Sequence, residues 1–271
     1  MVYCFDGKPH EFKRATLEAR HEARVAARQR YERAVSEGDK EGARRWGQQA
    51  VTATTNIVDD AKRLLTLMGV PWIQAPGEGE AQSAYMASKN DVWASSSQDF
   101  DSILYGAPRL VRNLSITGRR KLPRKNVYIK VEPEIYEYLK LLTELGLTRE
   151  QLIDVGILIG TDYNPEGVRG VGPKTAIKLI KKHGTLEVAL AEIPKVEFPH
   201  PIDEIRELFL KPPVTDDYQL EWRKPDAAGI LAFLCGEHSF SRDKVLGAIE
   251  RMERGYASGT AGAARLDRWF G

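Results

Sequence analysis

Three short apolar runs in this chain each end in carboxylates, and that recurrence narrows the fold more than any other feature. Residues 2–5 run into Asp6, residues 70–74 are followed by Glu78 and Glu80, and residues 91–95 are followed by Asp99 and Asp101. Runs of this length bounded by Gly, Pro and Asp predict strands. Between them, "TTNIVDDAKRLLTLM" sets Ile57, Val58, Ala61, Leu64, Leu65 and Met68 on one stripe, with Gly69 as C-cap, which predicts a helix packed on a sheet. "EAQSAYMAS" predicts a second helix, and residues 109–114 a further strand. Strands alternating with helices predict an α/β fold whose largely parallel central sheet is flanked by helices. The acids then lie beyond the carboxyl ends of the strands, the edge where open parallel sheets bind ligands.

Carboxylates this close repel and raise one another's pKa unless a cation holds them, so the pairs read as solvated loop residues or as a metal cradle. Glu78 and Glu80 would point apart on a regular helix, but Gly77 and Gly79 allow an irregular turn that lets them converge. Acidic enrichment at a helix N-terminus is the plainer reading of that pair. Five acids at one edge favour the cradle, and Asp162, at the end of a mostly apolar helix, is a sixth candidate. An all-oxygen set suits Mg²⁺ or Mn²⁺ rather than Zn²⁺.

The formal net charge is only +2, so affinity for a polyanion must come from local patches. There are three. The segment "EFKRATLEARHEARVAARQRYERAVSEG" is strongly helical by composition, has a poor apolar face, and places Lys13, Arg20, Arg24 and Arg28 on one side. Residues 109–130 carry Arg109, Arg112, Arg119, Arg120, Lys121, Arg124, Lys125 and Lys130 with no Asp or Glu, in what reads as a hairpin. The Gly-rich turn Gly170-Val171-Gly172-Pro173-Lys174-Thr175 opens a helix carrying Lys178, Lys181 and Lys182; its backbone N–H groups and dipole suit a nucleic-acid phosphate. Three positive surfaces around an acidic centre fit a phosphodiester substrate.

Cys4 and Cys235 lack metal-type spacing and read as reduced thiols of an intracellular protein. No apolar run reaches membrane-spanning length and no leader precedes the first strand, so the expected location is cytoplasmic.

The ordered motifs "FDGKP", "APGEGEA", "SQDFDSILYG", "GTDYNPEGVRGVGPKTA" and "RLDRWF" resemble the structure-specific 5′ nuclease family, and most of all its archaeal flap endonucleases. The resemblance covers essentially the whole chain. It implies a PIN-like nuclease core over residues 1–130 with a helical arch at about 11–49. A helical DNA-binding part would follow over 131–256, with a helix-hairpin-helix element at about 150–183, and then a flexible tail over 257–271. The implied activity is two-metal hydrolysis of branched DNA bearing a 5′ flap, in replication and repair, nucleoid-associated in an archaeal cell. Position by position, Asp6, Glu78, Glu80, Asp99, Asp101 and Asp162 match the metal ligands. Lys13 and Arg20 match the basic gateway at the scissile phosphate. Arg24, Gly170, Gly172, Lys174, Thr175 and Lys178 match DNA contacts, with a monovalent cation at the hairpin. Leu266, Trp269 and Phe270 match a sliding-clamp-binding motif, with Ala263 standing where that motif has Gln. The family pattern also begins with a further strand and one more metal-binding Asp, about a quarter of its length, so this chain is expected to be N-terminally incomplete. That expectation keeps a second reading open: a marginally stable, catalytically impaired DNA-binding module tethered to the clamp.

Overall fold

The computed structural model describes residues 1–50, 55–114, 118–121, 127–193 and 196–261. In chain order the elements are β1 (Tyr3–Phe5), a 3-10 turn (Glu11–Lys13), α1 (Arg14–Ser36), α2 (Lys40–Ala50), α3 (Thr55–Leu67), β2 (Trp72–Gln74), α4 (Gly79–Ser88), β3 (Ser95–Ser96) and α5 (Asp101–Leu104). They continue with β4 (Arg109–Arg112), β5 (Gly118–Lys121), β6 (Tyr128–Val131), β7 (Glu134–Glu137), α6 (Tyr138–Leu145), α7 (Arg149–Ile159), α8 (Pro173–His183) and α9 (Leu186–Ala191). The last are α10 (Ile202–Leu210), α11 (Ala227–Leu231), a π-helical segment (Ala232–Glu237) and α12 (Arg242–Ala261). These elements fall into two compact units that interleave along the chain.

One unit comprises Asp6–Arg20 and Gln74–Thr215. Its core gathers Leu110, Ile153, Ile157, Leu158, Ile180, Leu186, Ile205 and Phe209, each at most 1% exposed. β3 pairs parallel with β4, and β4 pairs antiparallel with β7, Leu110 opposite Tyr136. The α/β class therefore stands, but the sheet is small and mixed rather than largely parallel, and β5 and β6 form a separate antiparallel hairpin. The strand expected at residues 91–95 is displaced to Ser95–Ser96, because the chain leaves α4 through Asn90 at positive φ (62°) and bends before it extends. α7 begins with a capping box, Thr148 and Gln151 exchanging side-chain bonds with each other's backbone, and it packs against α8.

The other unit comprises Met1–Phe5, His21–Ile73 and the chain from Asp216. It pairs β1 with β2 and packs Ile230, Val245 and Ile249 against Leu67 and Met68. The strand expected at residues 2–5 forms as β1 and is exposed at Tyr3, which is 45% accessible. The expected arch is two helices joined at Gly38, whose φ of 72° makes the turn. Its apolar anchorage comes from small residues: Ala27 and Ala34 are buried, and Gly47 admits the Tyr31 ring. A search for amphipathic stripes of large side chains passes over such packing.

Candidate active site at the acidic edge

Asp6, Lys13, Arg20, Glu78, Glu80, Asp99, Asp101 and Asp162 all belong to the unit containing Asp6–Arg20 and Gln74–Thr215. The turn after Asp6 lies so close to the loop before α4 that Gly7 N–H donates to the Gly77 carbonyl at 2.6 Å, and a Cβ on Gly7 would sit 2.1 Å from the Ala75 carbonyl oxygen. Glycine is the residue that permits this approach. Asp6 Oδ1 then accepts from the Gly79 backbone N–H at 2.7 Å, a carboxylate on the donor end of α4.

Glu78 is the N-cap of α4, with extended backbone (φ −74°, ψ 131°), while Glu80 lies in its first turn. That break in conformation frees the pair from the helical i,i+2 divergence. Glu78 Oε2 accepts from Lys13 Nζ at 2.6 Å, and the same ammonium lies 3.1 Å from Asp162 Oδ2. Along α1 and the turn before it, the side chains at 13, 16 and 20 meet Asp162 together: Thr16 Oγ1 donates to its carbonyl at 2.8 Å and Arg20 Nη2 to its Oδ1 at 2.7 Å. Residues three, four and seven apart share a helix face, so the basic spacing read from sequence is the spacing that reaches the acid. Lys13 is 8% exposed, however, and so does not lie on an open basic face with its neighbours. Burial disfavours its charge, but the hydrogen bond it donates to Glu78 and the negative charges around it prevail and raise its pKa. Arg24 and Arg28 are exposed, with Arg28 bonded to Glu32 on the same helix.

Glu80 and Asp101 are the electrostatically strained acids. Burial, together with repulsion from Asp101, Asp99 and Asp6, raises the Glu80 pKa to about 7 even though Ser97 donates to its carboxylate. Burial, followed by repulsion from Asp162, Asp99 and Glu78, raises that of Asp101 to about 6 against the opposing pull of Lys13. Asp99 is exposed beside them. Among the described residues, no three His, Cys, Asp or Glu side chains close on a single metal position. The six acids thus share one field without forming a closed cage, and the Lys13 ammonium lies between two of them. The donor set is nonetheless oxygen-only, anionic, half-buried and short of positive charge, which fits a hard divalent cation.

Three groups of side chains have no counterpart among the residues singled out from the sequence. Ser97 donates to Glu80 and accepts the Asp99 backbone N–H at 3.1 Å, bridging the two acidic loops; its place in "SSSQDFD" gave only a loop signal. Tyr163 puts its ring 5.3 Å from Lys13 Nζ and its hydroxyl 2.8 Å from that of Tyr105. Behind Glu80, Ser83 joins the Glu80 carbonyl to buried Ser95, and Ser95 bonds buried Ser102 next to Asp101. No spacing rule connects serines so far apart in sequence.

The Gly-rich turn lies in the same unit. Gly170 has φ of 83°, and Gly172 is the N-cap of α8 with Pro173 at the first turn and no side-chain cap. Lys174, Thr175 and Lys178 are exposed, opposite the buried Ala176 and Ile180. Leu266, Trp269 and Phe270 lie outside the described residues.

The XPG I-region family profile matches residues 69–162. Flap endonuclease 1 of Staphylothermus marinus is 54% identical over 270 residues, which is 99% of this chain and 77% of that protein. Flap endonuclease 1 of Hyperthermus butylicus is 53% identical over 100% of this chain and 77% of its own length. Among solved structures, flap endonuclease-1 from Methanococcus jannaschii superposes with a TM-score of 0.69 at 38% identity, over 95% of this chain and 76% of that one.

Proposed function

The chain belongs to the flap endonuclease 1 family, and from that premise we propose that its acidic edge hydrolyses a phosphodiester at the base of a 5′ flap on branched DNA. The observation that carries this reading is Lys13, a buried cation delivered from the foot of α1 into contact with both Glu78 and Asp162. A phosphate arriving at this edge would meet an ammonium already desolvated and aimed, where added negative charge is most strongly stabilised. Arg20, on Asp162 at 2.7 Å and half exposed, would turn from that carboxylate to the phosphate as DNA binds.

Asp6, Glu78, Glu80, Asp99, Asp101 and Asp162 would hold two Mg²⁺ ions, with Mn²⁺ able to replace them. When bound, such ions lower the pKa of water and stabilise the attacking and leaving oxygens of an in-line displacement. The strained pair Glu80 and Asp101 supplies the charge that favours divalent binding, while Ser97 keeps Glu80 and the Asp99 loop in register. Gly170, Gly172, Lys174, Thr175 and Lys178 would grip a duplex phosphate with backbone N–H groups and ammonium charge, beside a monovalent cation at the turn. Arg24 would extend the positive path along the arch. Leu266, Trp269 and Phe270 would tether the chain to a sliding clamp.

The test is cleavage of an end-labelled 5′-flap duplex with Mg²⁺, run beside gel-shift binding in Ca²⁺. Cleavage near the flap junction, abolished by chelator while binding persists, supports the proposal. Binding without cleavage at any Mg²⁺ concentration would leave only the DNA-binding module.

A further inference from the structure

The residues beside Lys13 include a cluster of rings: His10, Phe12, Tyr163 and His200. His10 caps the 3-10 turn, its Nδ1 accepting from Phe12 N–H at 3.3 Å while its carbonyl accepts from Lys13 N–H at 3.0 Å. The His10 ring meets Phe12 edge-on at 4.6 Å and Tyr163 at 6.3 Å. Phe12 also stacks in parallel on His200, with centroids 3.7 Å apart and planes 7° from parallel. Phe12 is buried and belongs to the main core. His200 stands between Pro199 and Pro201. Proline fixes its own φ and restricts the residue before it, so His200 presents its ring from a stiff segment just ahead of α10.

We propose that Phe12 and His200 are positioning residues for Lys13, their stack fixing the 3-10 turn that delivers the ammonium to Glu78 and Asp162. A lysine stem has four rotatable carbons and a point charge at its tip, so the charge is placed only as well as the backbone that launches it. That backbone is a single 3-10 turn at the N-terminal end of α1, where a helix is held least by its own hydrogen bonds. Stacking supplies anchorage from outside the turn: the His200 ring covers one face of Phe12, and removing it leaves that face without its packing partner. The catalytic part of the inference rests on the function proposed above, because misplacement of a reacting-centre charge by about 1 Å costs up to about a hundredfold in rate.

The experiment compares His200→Ala with His200→Phe, which keeps a ring for the stack, each alone and combined with Lys13→Ala. The first readout is the rate of Lys13 acetylation by acetic anhydride in the metal-free protein, followed by mass spectrometry. The second is single-turnover cleavage of a 5′-flap duplex in Mg²⁺ beside the DNA Kd in Ca²⁺. We expect His200→Ala to speed Lys13 acetylation and slow cleavage, each by about tenfold, with Kd within about twofold and with His200→Phe near the parent. Within the Lys13→Ala background, His200→Ala should slow cleavage no further. Parent-like acetylation in His200→Ala overturns the proposal, as does an equal loss of rate with and without Lys13. Should the parent cleave no flap at all, the proposed function fails, while the acetylation contrast still decides the positioning role.

Discussion

Replacing Glu80 with Gln tests whether the acidic edge is held together against its own charge. Glu80 ionises near pH 7 in the folded protein against an ordinary 4.5. A carboxylate with a raised folded pKa contributes stability that is fully present below its unfolded pKa and lost as pH rises through the folded value. For Glu80 the loss runs from about pH 4.5 to about pH 7, and the shift corresponds to about 3 kcal/mol. Gln mimics the protonated acid, and its Oε1 still accepts from Ser97, so the hydroxyl contact survives the change. Metal-free Glu80→Gln should therefore be more stable than the parent by about 3 kcal/mol at pH 8. In a chain of this size that is about 6 °C in Tm, and the difference should close to zero below about pH 4.5. Mg²⁺ should stabilise the parent far more than the variant, since binding to the folded state alone raises stability and the variant has lost an anionic donor. Calorimetric melting at pH 8 and pH 4, with chelator or Mg²⁺, reads all of this. Equal melting temperatures for parent and variant at pH 8 in chelator would refute the reasoning.

Asp101→Ala should cut Mg²⁺-dependent flap cleavage by at least about a hundredfold while leaving duplex affinity in Ca²⁺ equal or better, because it removes a ligand and a repulsive charge together; a parent-like rate would remove Asp101 from the ligand set. Lys174→Ala with Lys178→Ala should weaken flap-duplex binding uniformly across sequences and lower the slope of log K against log salt by about 2, measured by fluorescence anisotropy. Arg206 bonds Asp154 at 2.8 Å, Glu187 at 2.8 Å and Asp203 at 2.6 Å, and the Asp154 carboxylate is only 4% exposed. Arg206→Met should thus cost about 3 to 5 kcal/mol in denaturant unfolding, since it strands a buried charge.

How much of this was legible in the sequence depended on range. Acids following apolar runs could be read because strand ends and Gly-rich turns are local signals, although β1 and β2 form one sheet and β3 another rather than a single sheet edge; the spacing of Lys13 and Arg20, both of which meet Asp162, could be read because helix geometry is local too. Pairing was not local. β4 takes β7 as its antiparallel partner, and nothing in "RLVRNL" announces "EIYE" some twenty-five residues on. The burial of Lys13 was hidden for a related reason. A lysine on an Ala-, Arg- and Glu-rich helix reads as solvated until Glu78 and Asp162, far along the chain, are placed around it. Ser97 and the Ser83, Ser95 and Ser102 chain were invisible because hydroxyls have no periodicity and gain their roles only from what they face.

The central claim is that this carboxylate edge, with Lys13 set into it, cleaves DNA hydrolytically at a flap junction. The most direct measurement is single-turnover reaction of the chain with a 5′-flap duplex in Mg²⁺ and ¹⁸O-labelled water, the products being sized on a gel and weighed by mass spectrometry. The account predicts a cut at the junction, one ¹⁸O in the product's 5′-phosphate, and no comparable cut in an unbranched duplex of the same sequence. Products without ¹⁸O, or equal cutting of flap and unbranched duplex, would contradict it.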